Sequence, residues 1–172
     1  MYPQPLIYYL VYFHSLRDYF ECHEVLEEYW KEDGKNNKIW VGFIQLAVAM
    51  YHHRRKNYLG AEKQLRNAID IFDQEKLQLD TLGFDPEEFS RVLKEKSIEI
   101  KQRLPYSSIN LPIVNHNVNQ ACIKTAKELG ACWGEENLII SKEIIDKHKL
   151  RDRSAVIAER DKQLLKRRDK NL

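Results

Sequence analysis

The sequence predicts an all-α protein, a compact antiparallel helical bundle with a C-terminal helical extension. Apolar residues recur every three to four positions through most of the chain, which is the spacing of a helix face. Start signals for helices precede these stretches, whereas alternating strand patterns are nearly absent. The 172 residues are 43% hydrophobic and 31% charged, with only six glycines and five prolines. This composition excludes collagen-like, low-complexity and wholly disordered chains.

Five helices are predicted in the first 104 residues. Asp18 and Asn57 can accept hydrogen bonds from the free N–H groups at the starts of the second and fourth helices. The third helix begins at Asn37 or Lys38. The fifth follows an Asp-Pro-Glu-Glu sequence at Asp85, with the proline at the first helical position and acids in the first turn. The predicted helices cover residues 6–13, 19–31, 39–55, 58–77 and 86–104.

The second half of the chain has a different composition. Residues 106–119 are rich in Asn, Ser and Pro and are interpreted as a loop. A short helix over 118–129 ends before a glycine, which suits the left-handed position after a helix. The charged stretch 147–170 is also predicted to be helical. The expected organisation is an N-terminal bundle over 1–104 and a linker with a basic C-terminal helical extension over 105–172.

Charge is unevenly distributed along the chain. The formal net charge is +2, from 28 basic and 26 acidic residues, so no overall field selects a nucleic acid or a membrane as partner. Residues 141–172 contain 11 basic and six acidic residues, and no aromatic residue follows Trp133. This mixture favours a solvated helix face over a phosphate-binding surface. We expect the segment to dock on the bundle or on a second subunit. Its apolar residues at helical spacing are Val156, Ile157, Leu164 and Leu165.

Neither membrane insertion nor a disulfide framework is expected. The longest apolar stretch, 39–51, is interrupted by Gln45 and is shorter than the roughly 20 residues that cross a bilayer. The apolar start of the chain has no preceding basic residue and no export cleavage site. Cys22, Cys122 and Cys132 form an odd number without CxxC spacing, so neither a disulfide framework nor a zinc site is indicated. A reduced, cytoplasmic protein is the interpretation.

The second predicted helix carries the candidate site. His23 and Glu27 are four residues apart and therefore point in the same direction from a helix. Glu24 lies slightly further round. Residues 18–33 contain seven acidic residues against one basic residue, Lys31. Such a density of carboxylates must be solvated, paired with cations or bound to a metal.

The third predicted helix supplies partners for this cluster. Gln45 is the single polar side chain in its apolar stretch, and His52 follows seven residues later on the same face. A buried amide without a partner costs about 1–3 kcal/mol, so Gln45 is expected to have one. If the second and third helices pack antiparallel, this face meets His23 and the carboxylates of Glu24 and Glu27.

Three interpretations of the cluster remain open. The first is a hydrogen-bond and salt-bridge network that fixes the helix register. The second is a divalent metal site with His23, Glu27 and His52 as ligands. The third is a small-ligand pocket in which Glu24 acts as general base beside a histidine. No nucleophile motif, phosphate loop or dinucleotide fingerprint names a reaction. The candidate binding residues are Glu21, His23, Glu24, Glu27, Gln45 and His52.

One motif resembles a known family. The sequence Tyr-Phe-Glu-x-His-Glu-Val-Leu-Glu-x-x-Trp at residues 19–30 looks like the bacterial YpuF-like family, domain of unknown function (DUF) 309. The resemblance covers about residues 5–80. It implies a small all-α bundle and no particular activity. The family's signature positions fall on Glu21, His23, Glu24, Glu27, Trp30, Gln45, His52, Asn57 and Gly60.

The function expected from these observations is that of a non-catalytic binding or scaffold module with its polar cluster between the second and third helices. A metal-dependent hydrolase-type enzyme using that cluster is the alternative. Anion or nucleic-acid binding through the basic C-terminal helix is a further alternative. Whether the protein is an enzyme stays open. The expected partner is another protein or a second copy of the chain, and neither a nucleic acid nor a membrane is expected.

Four other side chains have simpler expectations. His14 is expected to end the first helix, where a cation would suit the negative end of the helix dipole. His53, next to Arg54, is expected to be exposed. Trp30 and Trp40 are expected to lie in the core.

Overall fold

The computed structural model describes residues 2–136 and 138–150, together with Ala158 and Lys162. All regular structure among these residues is helical, apart from one isolated β-bridge. The predicted all-α fold class is confirmed. The helices are α1 (Gln4–Val11), α2 (Tyr19–Glu32), α3 (Lys38–Arg54), α4 (Tyr58–Gln74), α5 (Lys76–Thr81), α6 (Pro86–Lys101), α7 (His116–Glu128), α8 (Lys142–Ile145) and α9 (Lys147–Leu150), with a π-helical turn (Tyr12–Leu16) after α1.

Side chains cap the helices at the predicted positions. Asp18 and Asn57 each accept a hydrogen bond from the N–H group three residues later, both at 3.1 Å. Asn37 accepts one from the N–H two residues later, also at 3.1 Å. Asp85 accepts two such bonds at 3.0 Å in the first turn of α6. These bonds satisfy N–H groups that have no partner within the helix, which is why the four starts were predictable.

Two helix ends differ from the predictions. α1 is followed by the π-helical turn, which ends at Arg17 with a left-handed φ of 52°. The predicted fourth helix divides at Glu75 into α4 and α5, because φ −106° and ψ 30° at that residue interrupt the helical backbone. Gly130 does adopt the left-handed conformation expected after α7, with φ 71°.

α3 is the central helix of the bundle. It packs between α2 and α4, while α6 packs on α4 and α1 packs on both α2 and α7. Phe43 of α3 lies at the centre of the core. Its ring contacts those of Phe72, Phe84 and Phe89 at centroid distances of 5.0, 5.6 and 6.0 Å. Such tilted and edge-on contacts suit the quadrupoles of aromatic rings.

Aromatic contacts at both ends show that α2 and α3 are antiparallel. Phe20 at the start of α2 contacts Tyr51 near the end of α3, with ring centroids 6.4 Å apart. Tyr29 near the end of α2 contacts Trp40 at the start of α3, at 5.4 Å. The orientation assumed for the candidate site is therefore correct.

Residues beyond the predicted linker boundary contribute to the same core. Leu111, Val118, Cys122 and Ala126 are all buried with the side chains of the first hundred residues. The division into 1–104 and 105–172 stays a prediction. Most of the expected C-terminal helix lies outside the described residues, as do the predictions of its docking and of nucleic-acid binding through it.

Arg17 joins the α1–α2 corner to the later part of the chain. Its side chain is buried, with 1% exposure. The guanidinium donates to the carbonyls of Phe13 and Ile109 at 3.0 and 2.7 Å. It also donates to the Asn110 side chain at 2.8 Å and to the Glu135 carbonyl at 3.2 Å. These bonds attach the corner between the π-helical turn and α2 to the segments around residues 109 and 135.

The structure corrects the expectations for two histidines. His14 lies at a helix end as expected, in the last turn of the π-helical segment, but it is buried and is not a cation. Its Nε2 accepts a hydrogen bond from the Leu111 N–H at 3.3 Å, and its ring stacks on Trp133 at 4.9 Å. His53 is also buried, with Nε2 2.9 Å from the Leu104 carbonyl oxygen. Both side chains turn inward because segments distant in sequence cover them.

The two tryptophans differ in burial. Trp40 is in the core as expected, with 4% exposure. Trp30 is half-buried and packs against the core. Its Nε1 is buried without a hydrogen-bond partner among the described residues.

No helix in the described part of the chain combines the length and the apolar character that a membrane span requires.

The buried His14 makes stability depend on pH. Burial lowers the pKa of His14 to about 3, and the charge of Arg17 adds to the effect. The unfolded chain therefore takes up a proton near the ordinary histidine pKa of about 6.5, while the folded protein does not. The free energy of unfolding is expected to fall by about 2 kcal/mol from this group between pH 7.5 and pH 5.

Urea unfolding of the wild type and of His14→Gln at both pH values measures this contribution. The variant lacks the titrating group. Its free energy of unfolding should therefore fall by about 2 kcal/mol less than that of the wild type between pH 7.5 and pH 5. An equal loss in both proteins would contradict the assignment.

Candidate functional site

An acidic groove of about 680 Å³ lies along α2 beside α1 and the π-helical turn. Four glutamates and one lysine line it, together with two tyrosines and a valine. Negative charge therefore dominates its surface, and cations are the ligands that it favours. The lining residues are Tyr8, Tyr12, Glu21, Glu24, Val25, Glu27, Glu28 and Lys31.

The amphipathic pattern of α2 produces this groove. Tyr19, Cys22 and Leu26 point into the core and are fully buried. Glu21 and Glu28 lie seven residues apart, with Glu24 between them, so the three carboxylates form a stripe beside the buried face. One face of α2 thus packs on the bundle, and the adjacent face presents its carboxylates to the groove.

His23 lies between two of the carboxylates. Its Nδ1 is 3.1 Å from Glu24 Oε1, and its Nε2 is 3.5 Å from Glu27 Oε2. Lys31 Nζ lies 3.0 Å from the other oxygen of Glu27. The side chains of His23, Glu24 and Glu27 each remain about 30% exposed. One ligand atom from each of these three residues lies within 4.8 Å of the others, a spacing that a metal ion could bridge.

A second, mostly apolar pocket of about 200 Å³ lies between α2 and α3. His23 and His52 both line it, so the structure brings these two predicted residues to one place. His52 nevertheless lies outside the group of ligand atoms formed by His23, Glu24 and Glu27. The pocket is lined by Tyr19, Phe20, His23, Val48, Tyr51, His52, Arg55 and His148.

The surroundings of His52 favour its neutral form. Burial lowers the pKa of His52, and the positive charge of Arg55 lowers it further. Its Nδ1 lies 3.1 Å from Asn57 Nδ2, so the ring accepts a hydrogen bond from the amide. His52 thus extends the cap of α4 instead of meeting the α2 carboxylates.

Gln45 does not join either cavity lining. The residue is half-buried, and its Oε1 is buried without a hydrogen-bond partner among the described residues. The partner expected for this amide oxygen is therefore not found there. The candidate binding set divides into Glu21, Glu24 and Glu27 in the groove, His23 and His52 at the pocket, and the separate Gln45.

Sequence reasoning missed the contacts of residues 146–148. Lys147 Nζ lies 2.7 Å from Asp18 Oδ2 and 2.8 Å from Glu21 Oε1. Asp18 precedes Lys147 by 129 residues. Alternation of charge in the C-terminal segment was visible, but no local pattern indicates which carboxylates a lysine so far along the chain will reach.

The pKa values of Lys147 and Tyr12 report the charge around this ion pair. Burial alone would lower the pKa of Lys147, but its bonds to Asp18 and Glu21 raise the pKa overall. Burial raises the pKa of Tyr12, and the carboxylates of Glu21 and Asp18 raise it further, while Lys147 opposes them. This end of the groove therefore has a negative potential that a bound ammonium group reduces.

Comparison with known proteins identifies the family of this chain. The fold and groove define a small helical-bundle protein with an acidic surface along its second helix. A family model described as "Domain of unknown function (DUF309)" matches residues 6–64. The chain is also 45% identical over 170 residues to "Uncharacterized protein YpuF" of Bacillus subtilis (strain 168), covering 98% of both chains.

The chain therefore belongs to the DUF309 family and is similar to YpuF along nearly its whole length. No solved structure gives a significant match. The predicted family is confirmed. All residues that line the acidic groove fall inside the stretch 6–64 that the family model matches.

The partial exposure of the His23 cluster predicts a small effect on stability. His23→Ala and Glu27→Ala are each expected to change the free energy of unfolding by less than about 1 kcal/mol, because half-exposed ion pairs contribute little. Arg17→Ala serves as the contrast. It leaves buried carbonyl groups without donors and is expected to cost about 3 kcal/mol.

Urea denaturation of the three variants at one pH tests both expectations. A loss for His23→Ala or Glu27→Ala as large as that for Arg17→Ala would instead identify the His23 cluster as a main support of the fold.

Proposed function

We propose that the protein is a non-catalytic binding module whose acidic groove takes lysine or arginine side chains of a protein partner. The observation that carries this proposal is the position of Lys147. Its ammonium group contacts the carboxylates of Asp18 and Glu21 at 2.7 and 2.8 Å, at one end of the groove. The chain itself thus places a basic side chain where a basic ligand would bind.

The rest of the groove offers matching chemistry. Glu24, Glu27 and Glu28 continue the acidic lining away from Lys147. Tyr8 and Tyr12 add aromatic faces, which attract ammonium and guanidinium groups through their quadrupoles. A peptide with several basic residues could therefore bind several of these groups at once, whereas a single ammonium ion could not.

A fluorescein-labelled hexalysine peptide provides the test. Fluorescence anisotropy is expected to show binding that weakens with added salt, because ion pairs at a surface are screened. Glu24→Gln and Glu28→Gln should each raise the Kd about two- to fivefold, the range for loss of one exposed ion pair.

Glu62→Gln on α4 is the matched control, since it removes the same charge outside the groove lining. Its Kd is expected to equal that of the wild type. If hexalysine does not bind, or if Glu62→Gln weakens binding as much as the groove variants, the proposal fails.

A divalent metal site is the second candidate function. The spacing of the His23, Glu24 and Glu27 ligand atoms, all within 4.8 Å, supports it. Nitrogen and carboxylate ligands suit first-row metals such as Mn²⁺ and Zn²⁺. Three protein ligands leave coordination positions for water and substrate, as a metal-dependent hydrolase requires.

Isothermal titration with Mn²⁺ and Zn²⁺, together with thermal melts before and after chelation, tests this candidate. The expected result is uptake of one ion and a raised Tm, both lost in His23→Ala. His116→Ala, at an exposed histidine of α7, should keep both. Uptake that survives His23→Ala would contradict a site at this cluster.

A further inference from the structure

Residues 146–148, Asp146-Lys147-His148, contact the main bundle through three side chains, and we call them the strap. Lys147 binds Asp18 and Glu21 near the start of α2. Asp146 Oδ1 lies 3.1 Å from Arg55 Nε at the end of α3. The strap thus connects the start of α2 to the end of α3, at the Glu21 end of the groove.

His148 forms the third attachment. Its ring meets that of Tyr51 nearly at right angles, with centroids 5.3 Å apart. The His148 N–H donates to the Tyr51 hydroxyl at 3.3 Å, and the same hydroxyl is hydrogen-bonded to the imidazole Nδ1. Arg55 also reaches His148, with its Nη1 3.3 Å from the imidazole Nε2. One tyrosine hydroxyl therefore holds both the backbone and the ring of the strap residue.

These attachments are almost entirely polar. From Ala131 to Lys149, every residue whose burial is described is half-buried or exposed, and none is fully buried. α8 and α9 have only four residues each, which is too short for a helix to be stable without support. Segments held by few apolar contacts open at low free-energy cost. The strap can therefore be displaced without unfolding the bundle.

We propose that the strap is an autoinhibitory internal ligand, whose Lys147 holds the position that a basic side chain of the partner takes. This inference rests on the proposed function of the groove. A partner must displace Lys147 from Glu21 before it can use the whole groove, so the apparent affinity depends on the fraction of molecules with the strap released.

Tyr51→Phe in the full-length chain is the decisive variant. It removes the hydroxyl that holds His148 but changes no charge, and Tyr51 does not line the acidic groove. If the strap is released in about one tenth of wild-type molecules, the Kd for hexalysine is expected to fall in this variant, up to the roughly tenfold limit that complete release would give.

Lys147→Met supplies the second measurement, and Lys149→Met is its matched control. Lys149 is exposed and carries the same charge two residues further along. Lys147→Met is expected to bind hexalysine at least as tightly as Tyr51→Phe. Lys149→Met should resemble the wild type, because loss of one distant charge changes the attraction only weakly.

The outcomes separate the strap from the groove. If Lys147→Met tightens binding but Tyr51→Phe does not, the effect is the loss of a positive charge and the autoinhibitory strap is refuted. If neither variant changes the Kd, while Glu24→Gln and Glu28→Gln do raise it, the autoinhibitory strap is refuted and the proposed groove function is retained. If hexalysine binds none of these proteins, the groove function itself fails.

Discussion

The buried Arg17 guanidinium is the interaction on which the rest of the structure depends. None of its hydrogen-bond partners among the described residues is a carboxylate, and it uses neutral oxygens instead, including the carbonyls of Phe13 and Ile109. A charge removed from water is tolerated only when such bonds replace its hydration. The planar guanidinium presents five N–H donors in a fixed fork, whereas a lysine ammonium has only three at a single point. Removing it would therefore affect both the α1–α2 corner and the segment around residue 109.

That corner connects the fold to the candidate site. Arg54 of α3 donates to the Arg17 carbonyl at 2.6 Å and lies over the Tyr19 ring at 4.7 Å. α1, α2 and α3 are thus held relative to one another at Arg17. Asp18 follows directly, and its two oxygens have separate roles: Oδ1 caps α2 and Oδ2 binds Lys147. The geometry of the acidic groove depends on the same few residues that start α2.

What could be predicted from the sequence is what depends on near neighbours. The caps at Asp18 and Asp85 act within three residues, and the His23–Glu27 pair lies on one turn of a single helix. The misassigned features depend on distant segments. Leu111 and Trp133 contact the buried ring of His14, and the Leu104 carbonyl contacts that of His53. Periodicity places a side chain on a helix face, but it does not say which later segment covers that face.

The same distinction separates the groove from the strap. All the residues that line the groove lie inside the stretch 6–64 that the family model matches, whereas the strap comes from residues 146–148. A carboxylate stripe on one helix needs only local sequence, whereas Lys147 reaches Asp18 and Glu21 only because the chain returns to the start of α2. The similarity to YpuF extends over both parts. In the proposed function, groove binding and its inhibition are therefore physically separable, because no residue of the strap lines the groove.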